Sequence, residues 1–244
     1  MAKKLSISTR APKNFDKEKT KKETQKIIEE IGLYQKVFFA EAKCSLLVIL
    51  QGMDASGKDG LVSKVFTGVN PFGCDVTAFK APTKEELAHD FLWRVHKAVP
   101  AKGVIQIFNR SHYEDVLITR VEKMIDDKTA KKRFKDINSF ETLLTDNGTI
   151  ILKFYLHISK EEQQARLLER NTNPEKYWKH NDADWVTNQK FEHYIKAYED
   201  VFEHCNDPEW TIVPCDQNWY KEYIVAKKIR DTLHKLKPKY PKPE

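Results

Sequence analysis

The sequence predicts an α/β fold: one doubly wound domain in which a parallel sheet of five strands is covered by helices on both faces. Three observations lead there. Strand-like segments alternate with segments whose apolar residues recur near every 3.6 positions, the arrangement of successive βαβ units. The strand candidates are short and mostly apolar, as strands buried on both faces are. The chain has 244 residues, 40% of them hydrophobic, enough for one large domain spanning 1–244.

The elements follow in order. Residues 16–43 are charged, with Ile27, Ile31, Tyr34 and Phe38 at helical spacing, and predict an N-terminal helical extension. SLLVIL (45–50) reads as a buried strand, and a helix from Lys58 to Thr67 follows the glycine loop after it. CDVTAF (74–79) is the second strand. Thr83 and Glu86 form a capping-box pattern that opens a helix running to Ala98. GVIQIF (103–108) is the third strand, and Lys131–Asp146 a helix stopped by the glycine of DNG. TIILKFYLHI (149–158) is the longest strand signal. Ser159 and Glu162 cap the next helix, which ends before Pro174, and a long polar helix covers 184–205. WTIVPC (210–215) is the last strand and 217–236 the last helix; the terminal KPKYPKPE is proline-rich and predicts disorder.

Composition narrows the function. The formal charge of +6 suits a polyanionic ligand without requiring one. No apolar run approaches a membrane span, and the basic start lacks the apolar stretch of a secretory signal. Cys44, Cys74, Cys205 and Cys215 form no CxxC pair, which argues against zinc and predicts buried thiols in a reducing cytoplasm.

The chemistry begins at GMDASGKDG (52–60). Gly52, four residues, Gly57 and Lys58 have the G-x-x-x-x-G-K spacing of a phosphate-binding loop, in the required context of strand before and helix after. Backbone N–H groups and the helix N-terminus attract phosphate oxygens, and Lys58 adds a full charge. Gly52, Met53, Ala55, Ser56, Gly57, Asp59 and Gly60 are the phosphate-binding candidates of the loop, the glycines allowing close approach. Asp59 replaces the Ser or Thr whose hydroxyl usually meets magnesium. Two acids in an anion loop are accounted for if the ligand brings magnesium, which needs oxygen donors. Asp54 is the better donor. Asp59 lies in the first helical turn, where the dipole favours an acid in any case.

Three further stretches carry candidates. In FNRSHYEDVL (108–117), Asn109, Arg110, His112, Tyr113, Glu114 and Asp115 follow the end of a core strand, where open α/β sheets bind ligands. Asn109 stands where phosphate-loop kinases usually carry a magnesium-organising acid, so Glu114 is a second metal candidate. In RLLERNTNPEKYWKH (166–180), Arg166 and Arg170 share a helix face and predict a lid over about 160–185. Asn109, His112, Tyr113, Glu114 and Arg166 are the nucleotide-contact candidates. Lys64, Lys80 and Lys84 are placed to guide a long anion, Trp93 reads as core, and His89 and His96 lack a third ligand for a metal.

GMDASGKDG, GVNPFGCDVTAFKAP, LAHDFLWRVHKAVPAKG, FNRSHYEDVL, INSFETLLTDNGTIILKFYLHISKEEQ, RLLERNTNPEKYWK and DQNWYKEYIV, in that order, resemble polyphosphate kinase family 2 from about Leu33 to Lys228. The resemblance implies a three-layer αβα phosphate-loop kinase fold like that of thymidylate kinases, with a helical lid. It implies magnesium-dependent (or manganese-dependent) phosphoryl transfer between inorganic polyphosphate and adenine or guanine nucleotides, by a homo-oligomer, dimer or tetramer. Asp54, Lys58, Arg110 and Arg170 fall on the family's catalytic positions; many members have aspartate where this chain has Asn109. FNRSHYEDVL resembles the subgroup that phosphorylates both AMP and ADP. The alternatives are an ATP-dependent nucleoside monophosphate kinase on the same fold and a basic polyanion-binding protein. The latter is supported by charge alone, and no nucleic-acid-binding motif is present.

Overall fold

The computed structural model describes residues 4–242. Five parallel strands make one sheet: β1 (Ser45–Gly52), β2 (Cys74–Ala78), β3 (Ile105–Asn109), β4 (Thr149–His157) and β5 (Trp210–Pro214), in the order β2-β3-β1-β4-β5. Leu46, Leu47, Val48, Ile49 and Leu50 of β1 are all inaccessible to solvent, as a central strand covered on both faces must be. The register pairs Leu50 with Asn109 and Gly52 with Leu156, so the carboxyl ends of β1, β3 and β4 lie side by side.

The β1-to-β2 connection runs toward one edge of the sheet; the later connections run toward the other. With right-handed crossovers, that reversal places helices on both faces and opens a crevice at the end of β1. Helix α1 (Lys17–Glu41) is capped by Asp16, which accepts from the Lys19 N–H at 2.7 Å. It buries Ile27, Ile28, Ile31 and Phe38 and packs along the last helix, so it belongs to the same core. Helix α2 (Lys58–Val65) follows the glycine loop.

The expected helix from Thr83 to Ala98 is two short pieces, α3 (Lys84–Leu87) and α4 (Trp93–His96). The Thr83–Glu86 capping box forms, but Asp90 then accepts from the Leu92 N–H at 2.9 Å, a local turn that competes with the helix. Trp93 is half-buried rather than core, stacked on His89 at 4.0 Å under the Lys97 ammonium. After α5 (Ile118–Val121), α6 (Asp127–Asp146) starts earlier than expected because Asp126 caps the Thr129 N–H at 2.7 Å. Helix α7 (Lys160–Thr172) and the 3₁₀ turn Pro174–Lys179 lead to α8 (Asp182–Gln189) and α9 (Phe191–His204). The single helix expected over 184–205 divides at Lys190 because its halves bind different partners. Asn188 of α8 donates to Gln163 of α7 at 2.9 Å, while α9 buries Phe191, Tyr194 and Tyr198 in the core. Helix α10 (Asn218–Leu236) closes the fold, and 237–242 carries neither helix nor strand.

All four cysteines are free; Cys205 and Cys215 are buried, Cys44 and Cys74 only partly. Among the described residues no helix is long and apolar enough to cross a membrane.

Candidate active site

The loop after β1 folds by exploiting left-handed backbone. Gly57 has φ +87° and Ala55 φ +60°. A Cβ on Gly52 would come within 2.8 Å of the Leu156 carbonyl oxygen, so the loop can lie on β4 only with glycine there. At Gly60, by contrast, an added Cβ meets nothing; the close approach expected there is not made to the protein.

Side chains then claim the loop's carbonyls one after another. Lys58 donates to Gly52 O and Met53 O at 2.7 and 3.2 Å. Gln163 donates to Asp54 O at 3.0 Å, and Arg166 to Ala55 O and Ser56 O at 3.1 and 3.2 Å. Lys221 of α10 donates to Ser56 O and Gly57 O, both at 3.1 Å. The Met53 side chain is core, so Met53 offers the site only its backbone. The Ser56 hydroxyl is buried and has no partner among the described residues.

The end of β3 supplies the counterpart. Arg110, at φ +63°, sits where a non-glycine residue costs on the order of 1–3 kcal/mol, and its guanidinium pairs with Asp54. Asn109 donates to Asp59 at 2.7 Å, and Lys179 lies 3.9 Å from the same carboxylate. Each loop acid thus has its own partner from β3. Burial, reinforced by the Arg110 charge, lowers the Lys58 pKa, although Asp54, Glu114 and Asp59 oppose the shift. Burial raises the Glu114 pKa, against the pull of Arg110 and Lys58. Burial and the Asp54 charge raise that of Asp184.

Together these groups line a cavity of about 830 Å³ between the loop and the 160–189 segment. Its lining has eight basic side chains, Lys58, Lys80, Arg110, Arg166, Arg170, Lys176, Lys179 and Lys221, against six acidic ones, Asp54, Asp59, Glu162, Glu169, Asp184 and Glu222, a small cationic excess that is compatible with a polyanion. Arg166 and Arg170 share a helix face but do different work. Arg166 lines the cavity and also holds the loop carbonyls, Glu162 and Cys215 O (2.7 Å). Arg170 is held at the cavity by Asp184 and the Lys179 carbonyl.

Three expected nucleotide contacts, His112, Tyr113 and Glu114, are not among the residues that line the cavity. His112 and Tyr113 are wholly buried. Both meet Glu141 (3.2 and 2.8 Å), which is in turn paired with Lys153 at 2.7 Å. The 3₁₀ turn His112–Val116 buries both, just after Arg110 in the chain. Lys64 and Lys84 are exposed and lie outside the cavity lining, unlike Lys80.

Sequence reasoning missed Gln163, Asp184, Asn218 and Lys221. Lys221 was findable: Lys221, Val225, Ile229 and Leu233 recur every four residues on the buried stripe of α10, and a lysine in an apolar stripe is anomalous.

Comparison with known proteins agrees with this geometry. The family model described as polyphosphate kinase 2 (PPK2) matches residues 14–241. An AMP/ADP-polyphosphate phosphotransferase of Meiothermus ruber is 47% identical over 212 residues, 86% of this chain and 79% of the relative. An ADP-polyphosphate phosphotransferase of Rhodopseudomonas palustris is 40% identical over 228 residues, 88% of this chain and 79% of the relative. The crystal structure of polyphosphate kinase 2 from Arthrobacter aurescens TC1 superposes with a TM-score of 0.95 at 38% identity, covering 99% of this chain and 88% of that one. With a phosphate-binding loop at the switch point of its sheet and a family model matching nearly its whole length, the chain belongs to the polyphosphate kinase 2 family.

Proposed function

We propose that the protein transfers the terminal phosphoryl group between inorganic polyphosphate and AMP or ADP. The observation that carries this reading is the cavity itself: Lys58, Arg110 and Arg170 converge on one space from the loop, β3 and the 160–189 segment. The acceptors named for the M. ruber and R. palustris relatives support the choice of nucleotide.

In the reaction a phosphate oxygen of the nucleotide bonds to the terminal phosphorus of the chain. The bridging P–O bond breaks, and the shortened chain leaves as an oxyanion. The attacking oxygen is already ionised near neutral pH, since a phosphate monoester has its second pKa near ~6. Positioning and charge neutralisation are therefore the work of the protein. Lys58 and the loop amides hold the phosphates; Arg110, aligned by Asp54, and Arg170, aligned by Asp184, steady the transferring group. The segment 160–185 acts as a lid that excludes water.

Among the described residues no three metal-ligating side chains form a cage. Asp54 is a hard oxygen donor on the cavity wall, whereas Glu114 is outside its lining and burial raises its pKa, disfavouring the ionised form a metal ligand needs. Asp54 fits magnesium, or manganese, which takes one or two carboxylates and completes its shell with water and substrate phosphates. Bound there, the ion would neutralise phosphate charge.

The four free thiols fit a cytoplasmic protein, and the exposed Phe72, Phe39 and Val76 beside the open β2 edge offer apolar surface for a dimer or tetramer. Chromatography of nucleotides after incubation with magnesium and AMP or ADP, with and without polyphosphate, tests the function. ADP and ATP are expected only when polyphosphate is present. Phosphorylation of AMP by ATP with no use of polyphosphate would replace this reading with an ordinary nucleotide kinase.

A further inference from the structure

Lys221 is 2% exposed, yet it has no sequence-predicted role and touches the most chemically important turn of the chain. Its ammonium has three N–H donors, and all three are spent: on Ser56 O (3.1 Å), Gly57 O (3.1 Å) and Asn218 Oδ1 (3.0 Å). None remains for a ligand. In a trans peptide the carbonyl and the following N–H point in opposite directions. Drawing the Ser56 and Gly57 oxygens toward α10 therefore turns the Gly57 and Lys58 N–H groups the other way. Gly57 has the matching shape: a Cβ there would stand 2.4 Å from the Lys221 Nζ, so the missing side chain is the space the ammonium enters.

We propose that Lys221 is a positioning residue for phosphoryl transfer, aiming the Gly57 and Lys58 amides at the phosphates by holding the loop carbonyls from behind. The proposal rests on the phosphotransferase reading for its assay but on the loop contacts for its substance. Burial pushes the Lys221 pKa down to about 8, with Arg166 and Lys58 acting in the same direction and Cys215 and Glu222 against it. Above that pH the ammonium loses a proton, and with it one of the three donors and the charge that strengthens the other two.

The experiment compares wild type, Lys221→Met and Asn218→Ala. It reads kcat, KM for polyphosphate, melting temperature and the pH profile of kcat from 6.5 to 9.5. Lys221→Met is expected to lose about 10-fold or more in kcat, because one misaimed amide donor is worth up to ~10²-fold. Its melting temperature should stay at or above that of wild type. The decline of wild-type kcat near pH 8 should be absent from its profile. Asn218→Ala keeps the ammonium but removes one acceptor, so its decline should move to lower pH, which a merely structural role would not produce.

A wild-type kcat in Lys221→Met, or an alkaline decline that survives in it, overturns the proposal. If Lys221→Met does not fold, an unmoved decline in Asn218→Ala overturns it and a shifted one supports it. If wild type ignores polyphosphate but phosphorylates AMP from ATP, the functional reading fails by itself. The same variants measured with ATP as donor then decide the role of Lys221.

Discussion

Lys153 and Lys221 are both buried lysines, 1% and 2% exposed, and they stand in opposite relations to the fold. Lys153, on β4, pairs with Glu141 at 2.7 Å and also reaches Tyr113 Oη at 3.0 Å and Cys205 O at 3.1 Å. Burial alone would raise the Glu141 pKa, but hydrogen bonding from His112 and the charge of Lys153 bring it below the usual value. Lys221 is held by two carbonyls and an amide oxygen, and burial drives its pKa down. A buried charge with a carboxylate partner supports the structure once formed; a buried charge facing only dipoles costs stability. The difference separates a region that holds the Arg110 segment in place from a region strained toward chemistry.

The sharpest way to break this comparison is Glu141→Gln. It leaves the Lys153 ammonium buried without its counter-charge, a change that costs about 3–5 kcal/mol. In a chain of this size that lowers the melting temperature by on the order of 10 °C. Thermal melts should show this loss in Glu141→Gln and no comparable loss in Lys221→Met. Equal losses would mean that the two lysines do the same job.

Next in size is Lys58→Ala. Lys58 resembles Lys221, a buried ammonium on carbonyls, so its removal should leave the melting temperature within a few degrees. Turnover with polyphosphate should fall by at least ~10²-fold, about 2.7 kcal/mol of transition-state stabilisation. Near-wild-type turnover would show that the loop is not the phosphate site.

The two regions were unequally legible in the sequence. GMDASGKDG announced the loop, because its spacing follows from what phosphate needs, and SLLVIL and TIILKFYLHI announced their strands by unbroken apolar runs. FNRSHYEDVL announced a ligand-facing turn but not which side chains face the ligand. Arg110 turns outward at positive φ, whereas His112 and Tyr113 turn inward to Glu141, which is 29 and 28 residues away in the chain. Spacing along a turn does not encode that choice; a buried acid on α6 does. The loop-holding contacts of Arg166 are hidden in the sequence for a similar reason. Its helix face was predictable, but the loop carbonyls that occupy it become neighbours only when α7 folds across the end of β1. The break at Lys190 was hidden because the polar pattern of 184–205 continues across it.

Titration gives the two lysine regions opposite signs. The Glu141 pKa is lowered on folding, so its contribution to stability is present above its ordinary value of 4.5 and is lost as pH falls through the folded value. The Lys221 pKa is lowered from 10.5 to about 8, so the unfolded chain binds more protons between those values. Wild type should therefore gain stability relative to Lys221→Met as pH rises above 8, by at most about 1.4 kcal/mol per pH unit. Urea melts of both proteins at pH 7.5, 8.5 and 9.5 check this. Rising stability alongside falling kcat in wild type would mark Lys221 as a group kept charged for the loop rather than for the fold. A flat difference between the two proteins would mean that Lys221 keeps its ordinary pKa.

Tyr113→Phe should have the smallest effect. The phenol donates to Glu141 at 2.8 Å and accepts from Lys153 at 3.0 Å, and removing it leaves both partners with each other and Glu141 still meeting His112. One lost hydrogen bond in a network that stays charge-balanced costs about 1 kcal/mol, a shift of a few degrees in the melt. Because the ring keeps its place under Trp210, at 4.9 Å between centroids, the turn that carries Arg110 should not move. KM for AMP and ADP should accordingly match wild type within twofold. A tenfold rise in KM with an unchanged melt would restore Tyr113 as a nucleotide contact. It would also require the His112–Val116 turn to open during the reaction, making the supporting region part of the machinery that moves.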